Sequence, residues 1–121
     1  MAYVRSSEGT EPARDDVDAW AGATVLEFGT GWCGHCIGAQ PLIEAALSPR
    51  ADIRHVKVED GRGRPLGRSF RVKLWPTLVA LRDGREVARA VRPASSRDLQ
   101  PLLDALAAGP PHAPGPGIEP G

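Results

Sequence analysis

The hydrophobic period of this chain changes abruptly across a run of glycines, and that change implies a strand-turn-helix unit near its first third. Ala23 to Phe28 is a short, mostly apolar run with β-branched members, bounded by Gly22 and by Gly29-Thr30-Gly31, which reads as a buried strand. Beyond the glycines, Ala39, Leu42, Ile43, Ala46 and Leu47 recur at steps of three and four up to Ser48-Pro49, laying one apolar stripe along a helix. Trp32-Cys33-Gly34-His35-Cys36 sits directly between the two. In sheets of this kind ligand chemistry gathers at the carboxyl ends of the parallel strands, and the segment after Phe28 is such an end.

The remaining chain supplies partners for this unit. A first helix is expected to open near Thr10, with Pro12 in its first turn and Asp15, Asp16 and Asp18 near its positive end, and to stop at Gly22 with Trp20 in the core. Ile53 to Val58 reads as a second strand, Arg64 to Phe70 as a weak helix interrupted by Gly67, and Trp75 to Leu81 as the lead into a third strand. Asp83-Gly84 is a hairpin signal, after which Glu86 to Val91 pairs back antiparallel. Ser95-x-x-Asp98 resembles a capping box ahead of Leu99, Leu102, Leu103 and Leu106, and Pro101 is expected near that helix's first turn. This order predicts an α/β domain with a central mixed β-sheet flanked by helices, the first three strands joined by helical crossovers and the last two by a hairpin.

Gly and Pro together make 26 of the 121 residues, which would suggest disorder if they were spread evenly. They are not, because residues 109–121 alone hold four Gly and five Pro. We expect one domain over residues 1–108 and a disordered tail over 109–121. The net charge of zero hides 5 basic and 10 acidic residues in positions 1–60 and the reverse in 61–121; between Arg62 and Arg97 ten cations face only Asp83 and Glu86. A balanced chain argues against nucleic-acid and membrane-surface binding, and the basic segment is either a solvated face or a patch for an acidic partner. The chain shows no apolar run long enough to span a membrane and no apolar leader in its first 18 residues, so a cytoplasmic location is expected.

In a reducing compartment two cysteines are poor material for a permanent staple, so their spacing carries the meaning. Cys33 falls at the first turn of a helix, where unpaired N–H groups and the dipole favour a thiolate; Cys36, three residues on, is close enough to close a ring with it. Two other readings remain at this level. The pair could be half of a zinc site, although the other candidate ligands are only His35, His55 and His112, or it could be two inert buried thiols.

With these motifs in view, residues ~10 to 108 resemble the thioredoxin family. Glu27-Phe28 stands where the family has its buried acidic residue and aromatic, Pro41 where its active-site helix is kinked, Trp75-Pro76-Thr77 where its cis-proline loop packs on the disulfide, and Asp83-Gly84 at its last hairpin. Five departures stand out. His35 and Glu27 lean toward the protein disulfide isomerases, Ile37 replaces a common lysine, Trp75 replaces the usual Ile or Thr, and the family's glycine after the last strand gives way around Arg92-Pro93.

The resemblance implies a thiol-disulfide oxidoreductase. Cys33 attacks a disulfide in a partner protein and Cys36 resolves the mixed disulfide. Glu27 is the candidate base for Cys36, acting through water, and Lys57 aligns with the family lysine beside that carboxylate. Gly34 and His35 tune the redox pair, and His35 is expected to raise the midpoint potential above that of a Cys-Gly-Pro-Cys thioredoxin. Pro76 is expected to be cis, leaving the Trp75 backbone free to pair with an extended substrate, with Trp32 and Trp75 as apolar contacts. No cofactor or metal is implied. The expected partners are disulfide-containing proteins and a thiol reductant system such as a thioredoxin reductase or glutathione, acting on a monomer. A partner-specific oxidase or isomerase, or a non-catalytic interaction module using the same fold, are the competing readings.

Overall fold

The structure is a computed structural model that describes residues 11–107. Its elements in chain order are α1 (Arg14–Asp18), β1 (Ala23–Gly29), α2 (Gly34–Leu47), β2 (Ile53–Glu59), α3 (Pro65–Ser69), β3 (Thr77–Arg82), β4 (Arg85–Val91) and α4 (Ser96–Ala107). The four strands form one mixed sheet in the order β2-β1-β3-β4. The expected tail and the start of the first helix near Thr10 lie outside the described residues.

β1 is buried along nearly its whole length because it has strands on both edges and apolar layers on both faces. Alternate residues therefore serve two cores. Ala23 and Val25 face Ala39, Ile43 and Leu47 of α2 and Leu99, Leu102 and Leu106 of α4. Leu26 and Phe28 face Val17, Leu66 and Phe70 on the other side. Trp20, expected in the core, is only partly buried at the edge of this second cluster, with the Arg54 guanidinium 4.8 Å above its ring.

One connection differs from expectation. β1 and β2 run parallel through the α2 crossover, but β3 runs antiparallel to β1. β2 ends with Glu59 beside Gly29, and β3 starts with Thr77 beside Phe28, so the link between them stays at one end of the sheet. Its helix α3 has five residues. That is about 7.5 Å of rise, against roughly 23 Å for a seven-residue strand, too short to carry the chain back across the sheet.

The first helix is also shorter than expected, five residues ended by Ala19, with Gly22 in the left-handed region turning the chain into β1. Asp83 and Gly84 both have positive φ, as a type I′ hairpin requires, and Asp83 is tied to Gly22 by its side chain and its backbone. Pro101 lies inside α4 rather than in its first turn, while Asp98 Oδ2 accepts from the Ala94 and Ser95 N–H groups as the back-reaching half of a cap.

Candidate active site

The carboxyl end of β1 and the amino end of α2 meet at the two cysteines. Cys33 is the N-cap of α2, and its Sγ accepts from the Cys36 N–H at 3.2 Å. Both thiols are free and nearly covered, at 7% and 5% exposure. They are nevertheless unlike each other. Burial by itself would raise the Cys33 pKa, but hydrogen bonds from the Cys36 thiol and from the Cys36 and His35 N–H groups, with the charge of Arg92, hold it below the ordinary thiol value. Cys36 is pushed up to about 12 by burial, by its hydrogen bond to the Cys33 sulfur and by the negative charges of Cys33 and Glu27. One sulfur is thus prepared as a nucleophile and the other is held as a protonated thiol.

Gly29 makes room for this pair, since a Cβ there would lie 2.6 Å from the Cys36 Sγ. The Trp75–Pro76 peptide is cis, and the Trp75 ring packs edge-on against Trp32 at 5.7 Å while its Nε1 donates to Asp60 Oδ2 at 2.9 Å. Trp32 is 75% exposed, and Ile37 and Leu74 are exposed as well. Arg92, at the end of β4, donates from Nε to the Trp75 carbonyl at 2.8 Å, and a groove of about 430 Å³ opens beside it between Gly34, His35, Gly38, Leu42 and Pro93.

Known proteins resemble this chain in sequence and in fold. The family model described as Thioredoxin matches residues 10–105. The chain belongs to the thioredoxin family. It is 55% identical to thioredoxin 2 from Pseudomonas aeruginosa PAO1, in its reduced form, with a TM-score of 0.76 over 85% of this chain and 96% of that one. It is 33% identical over 72 residues to the thioredoxin of Chlamydia trachomatis, covering 59% of this chain and 70% of that protein. It is also 31% identical over 97 residues to a protein disulfide-isomerase of Datisca glomerata, covering 74% of this chain but only 19% of that protein. This thioredoxin is a thiol-disulfide oxidoreductase acting on protein disulfides.

Around the cysteines the thioredoxin assembles a polar network on the α2 side of the sheet. Glu27 is 4% exposed, and its Oε2 accepts from Gln40 Nε2 at 2.8 Å; the same nitrogen donates to the Cys36 carbonyl at 2.8 Å. Lys57 Nζ donates to Gln40 Oε1 at 2.9 Å and stands 3.8 Å from Glu27 Oε2. Glu27 and Lys57 are neighbours in the β1–β2 register, the adjacency that the family resemblance implies. His35 is exposed and reaches Cys33 through its backbone N–H.

Three residues of this site escape a reading of the sequence. Gln40 is one helical turn beyond Cys36, so the spacing alone placed it on the right face. In the sequence His55 suggests only a metal ligand, yet its Nε2 lies 2.8 Å from Glu27 Oε1. Its position two residues before Lys57, on the same face of a strand, was the available signal. Arg92 had no signal beyond standing where the family has glycine. The expectation of a free Trp75 backbone needs amending, because the carbonyl is engaged by Arg92 and only the N–H lacks a partner among the described residues.

Proposed function

We propose that this thioredoxin reduces or exchanges disulfides in partner proteins, with Cys33 as nucleophile and Cys36 as resolving thiol. The Cys33 thiolate attacks one sulfur of a substrate disulfide, forming a Cys33–substrate bond and expelling the other substrate sulfur as thiolate. Cys36 then gives up its proton and attacks the Cys33 sulfur, so that the second substrate thiolate leaves and the enzyme holds a Cys33–Cys36 disulfide. Two electrons pass from the dithiol to the substrate.

The observation that carries this reading is the placement of the two sulfurs: Cys33 caps α2 and its Sγ accepts from the Cys36 N–H at 3.2 Å, while Cys36 lies buried against Gly29, and this displaces the two thiol pKa values in opposite directions. It also explains the order of events. At pH 7 a thiol with a pKa of about 12 is ionised in roughly one molecule in 10⁵, so Cys36 does not compete with Cys33 for the first attack. Once the Cys33 sulfur is tied to substrate, its negative charge is gone, and one of the causes holding the Cys36 proton goes with it. Glu27 is the acceptor for that proton, through water; Gln40 links its carboxylate to the Cys36 carbonyl, and Lys57 and His55 orient it.

Trp32 and Trp75 supply apolar contacts, and the Trp75 N–H beside Pro76 offers a strand-like donor to an extended substrate. Gly34 and His35 tune the redox pair. The His35 N–H favours the thiolate, which stabilises the reduced form and points toward a more oxidising couple and an exchange role like that of the isomerases. We place the protein in the cytoplasm as a monomer comprising a domain over residues 1–108, recharged by a thioredoxin reductase or by glutathione, without nucleic-acid or membrane partners. Among the described residues no helix is long and apolar enough to cross a membrane. Insulin reduction tests the reading: the wild type is expected to precipitate insulin chains with a thiol donor, and Cys33→Ser to lose that activity. Wild-type rates from Cys33→Ser would overturn it.

A further inference from the structure

Arg92 is out of place in three respects. Its backbone has a φ of 49°, a left-handed conformation that is unfavourable for a residue with a Cβ and that glycine adopts freely. Its side chain is exposed, and among the described residues no carboxylate lies within ion-pair distance of it. Asp98, the next carboxylate along the chain, has its Oδ2 committed to the Ala94 and Ser95 N–H groups.

The side chain is nevertheless held in one place. Nε donates to the Trp75 carbonyl, and the Arg92 N–H donates to the Pro76 carbonyl at 2.8 Å, so the guanidinium is fixed at the mouth of the groove between the start of α2 and the β4–α4 link. Cys33 lies close enough to feel its charge. Fixing Nε leaves the two terminal nitrogens, which carry the paired donors suited to a carboxylate. A substrate segment paired to the Trp75 N–H and attacked by Cys33 must pass this point. On the other side of Trp75, Arg64, Arg68 and Lys73 line a second shallow groove in which Asp60 is the only acidic residue, and Asp60 accepts from the Trp75 indole. Cations of the basic segment therefore flank Trp75 on both sides, with Arg92 the one whose charge reaches Cys33.

We propose that Arg92 is a specificity-determining residue that selects disulfide substrates carrying Asp or Glu next to the attacked half-cystine, its terminal nitrogens pairing with that carboxylate at the groove mouth. This rests on the thiol-disulfide reading above and adds the chemistry of the preferred substrate. The chemical step is unchanged: Cys33 bonds to the half-cystine beside the acidic residue and the other sulfur leaves as thiolate. The gain lies in docking before attack, so it is sensitive to salt.

The test uses the reduced full-length protein in excess over disulfide-bonded peptides that differ only in the residue beside one half-cystine, which is Asp, Asn or Lys. Loss of peptide disulfide is followed by chromatography. The Asp peptide is expected to react roughly three- to tenfold faster than the Lys peptide at low ionic strength, with the ratio shrinking in about 0.5 M salt. Arg92→Gly, which keeps the left-handed backbone without its cost and so is expected to fold, should bring the ratio close to one, and Arg92→Glu should invert it. Arg85→Ser removes a cation at the far end of β4 and should preserve the ratio. Equal rates for the wild type, an unchanged ratio in Arg92→Gly, or an equal collapse in Arg85→Ser would overturn the inference while leaving the thiol chemistry standing. Failure to reduce any of the peptides would remove the thiol-disulfide reading and the inference together.

Discussion

His55 Nε2 lies 2.8 Å from Glu27 Oε1, and neither side chain reaches solvent to any useful extent, at 0% and 4% exposure. A hydrogen bond between these atoms needs one proton, carried by the ring or by the carboxyl. The other carboxylate oxygen is held by Gln40, so both ends of the proposed base are fixed. His55→Leu keeps most of the volume and leaves Oε1 without this partner. It is expected to lower stability by about 1–3 kcal/mol in urea unfolding. Combined with Glu27→Gln, the two losses should fall short of additive by at least ~0.5 kcal/mol. Additive losses would show that the two groups do not act as a unit.

The two thiols should separate cleanly by alkylation. A depressed pKa means that Cys33 becomes protonated, and loses reactivity, only as pH falls below the range where an ordinary thiol is already quenched. Iodoacetamide labelling of the reduced protein, followed by peptide mass spectrometry, should place its midpoint below the ordinary thiol value and modify Cys33 alone. Cys36, pushed up to about 12, should remain unlabelled through neutral and mildly alkaline pH. Comparable labelling of both would contradict the division of roles.

The residue between the cysteines should set the couple. The His35 N–H stabilises the Cys33 sulfur as thiolate, and proline at that position has no N–H to offer. Equilibration with glutathione should give the wild type a midpoint above roughly −270 mV, the thioredoxin value. His35→Pro should lower it by about 30 mV or more, the equivalent of one modest charge-assisted hydrogen bond. A wild-type value at or below the thioredoxin figure would refute the assignment of His35 as a tuning residue.

Gly29 is required by proximity rather than by backbone conformation. Because an added Cβ would stand 2.6 Å from the Cys36 sulfur, Gly29→Ala must displace one of them. An overpacking cost of about 1–3 kcal/mol is expected in thermal unfolding. The displaced Cys36 should also resolve mixed disulfides more slowly, so that a covalent Cys33–substrate species accumulates and can be measured by mass. Unchanged stability and no such species would mean that the site relaxes around the methyl group.

Much of this molecule is legible from local pattern. The change of hydrophobic period at Gly29, the cysteines at the first turn of α2, the Asp83-Gly84 turn and the leucine stripe of α4 each depend on residues within a few positions of one another, and each has its physical cause in that span. Pro76 and Glu27 were readable in another way, through resemblance. The first helix was overextended because a five-residue helix is held by outside contacts, Val17 in the core and Arg14 on Ser69 and Phe70, that leave no periodic trace.

What the sequence by itself determined is the identity and placement of the reactive pair: a strand, a glycine turn, and two cysteines on the opening turn of a helix. What only the tertiary structure decided is what surrounds the pair: the burial and the Glu27 charge that raise Cys36, and the distant side chains that hold Glu27 and Trp75 in place. His55 meets Glu27 across 28 positions and Arg92 meets Trp75 across 17, both through sheet register and the antiparallel return of β3. Hydrophobic period assigns a residue to a face, but the partner it finds there depends on which strands are neighbours and how far they are offset.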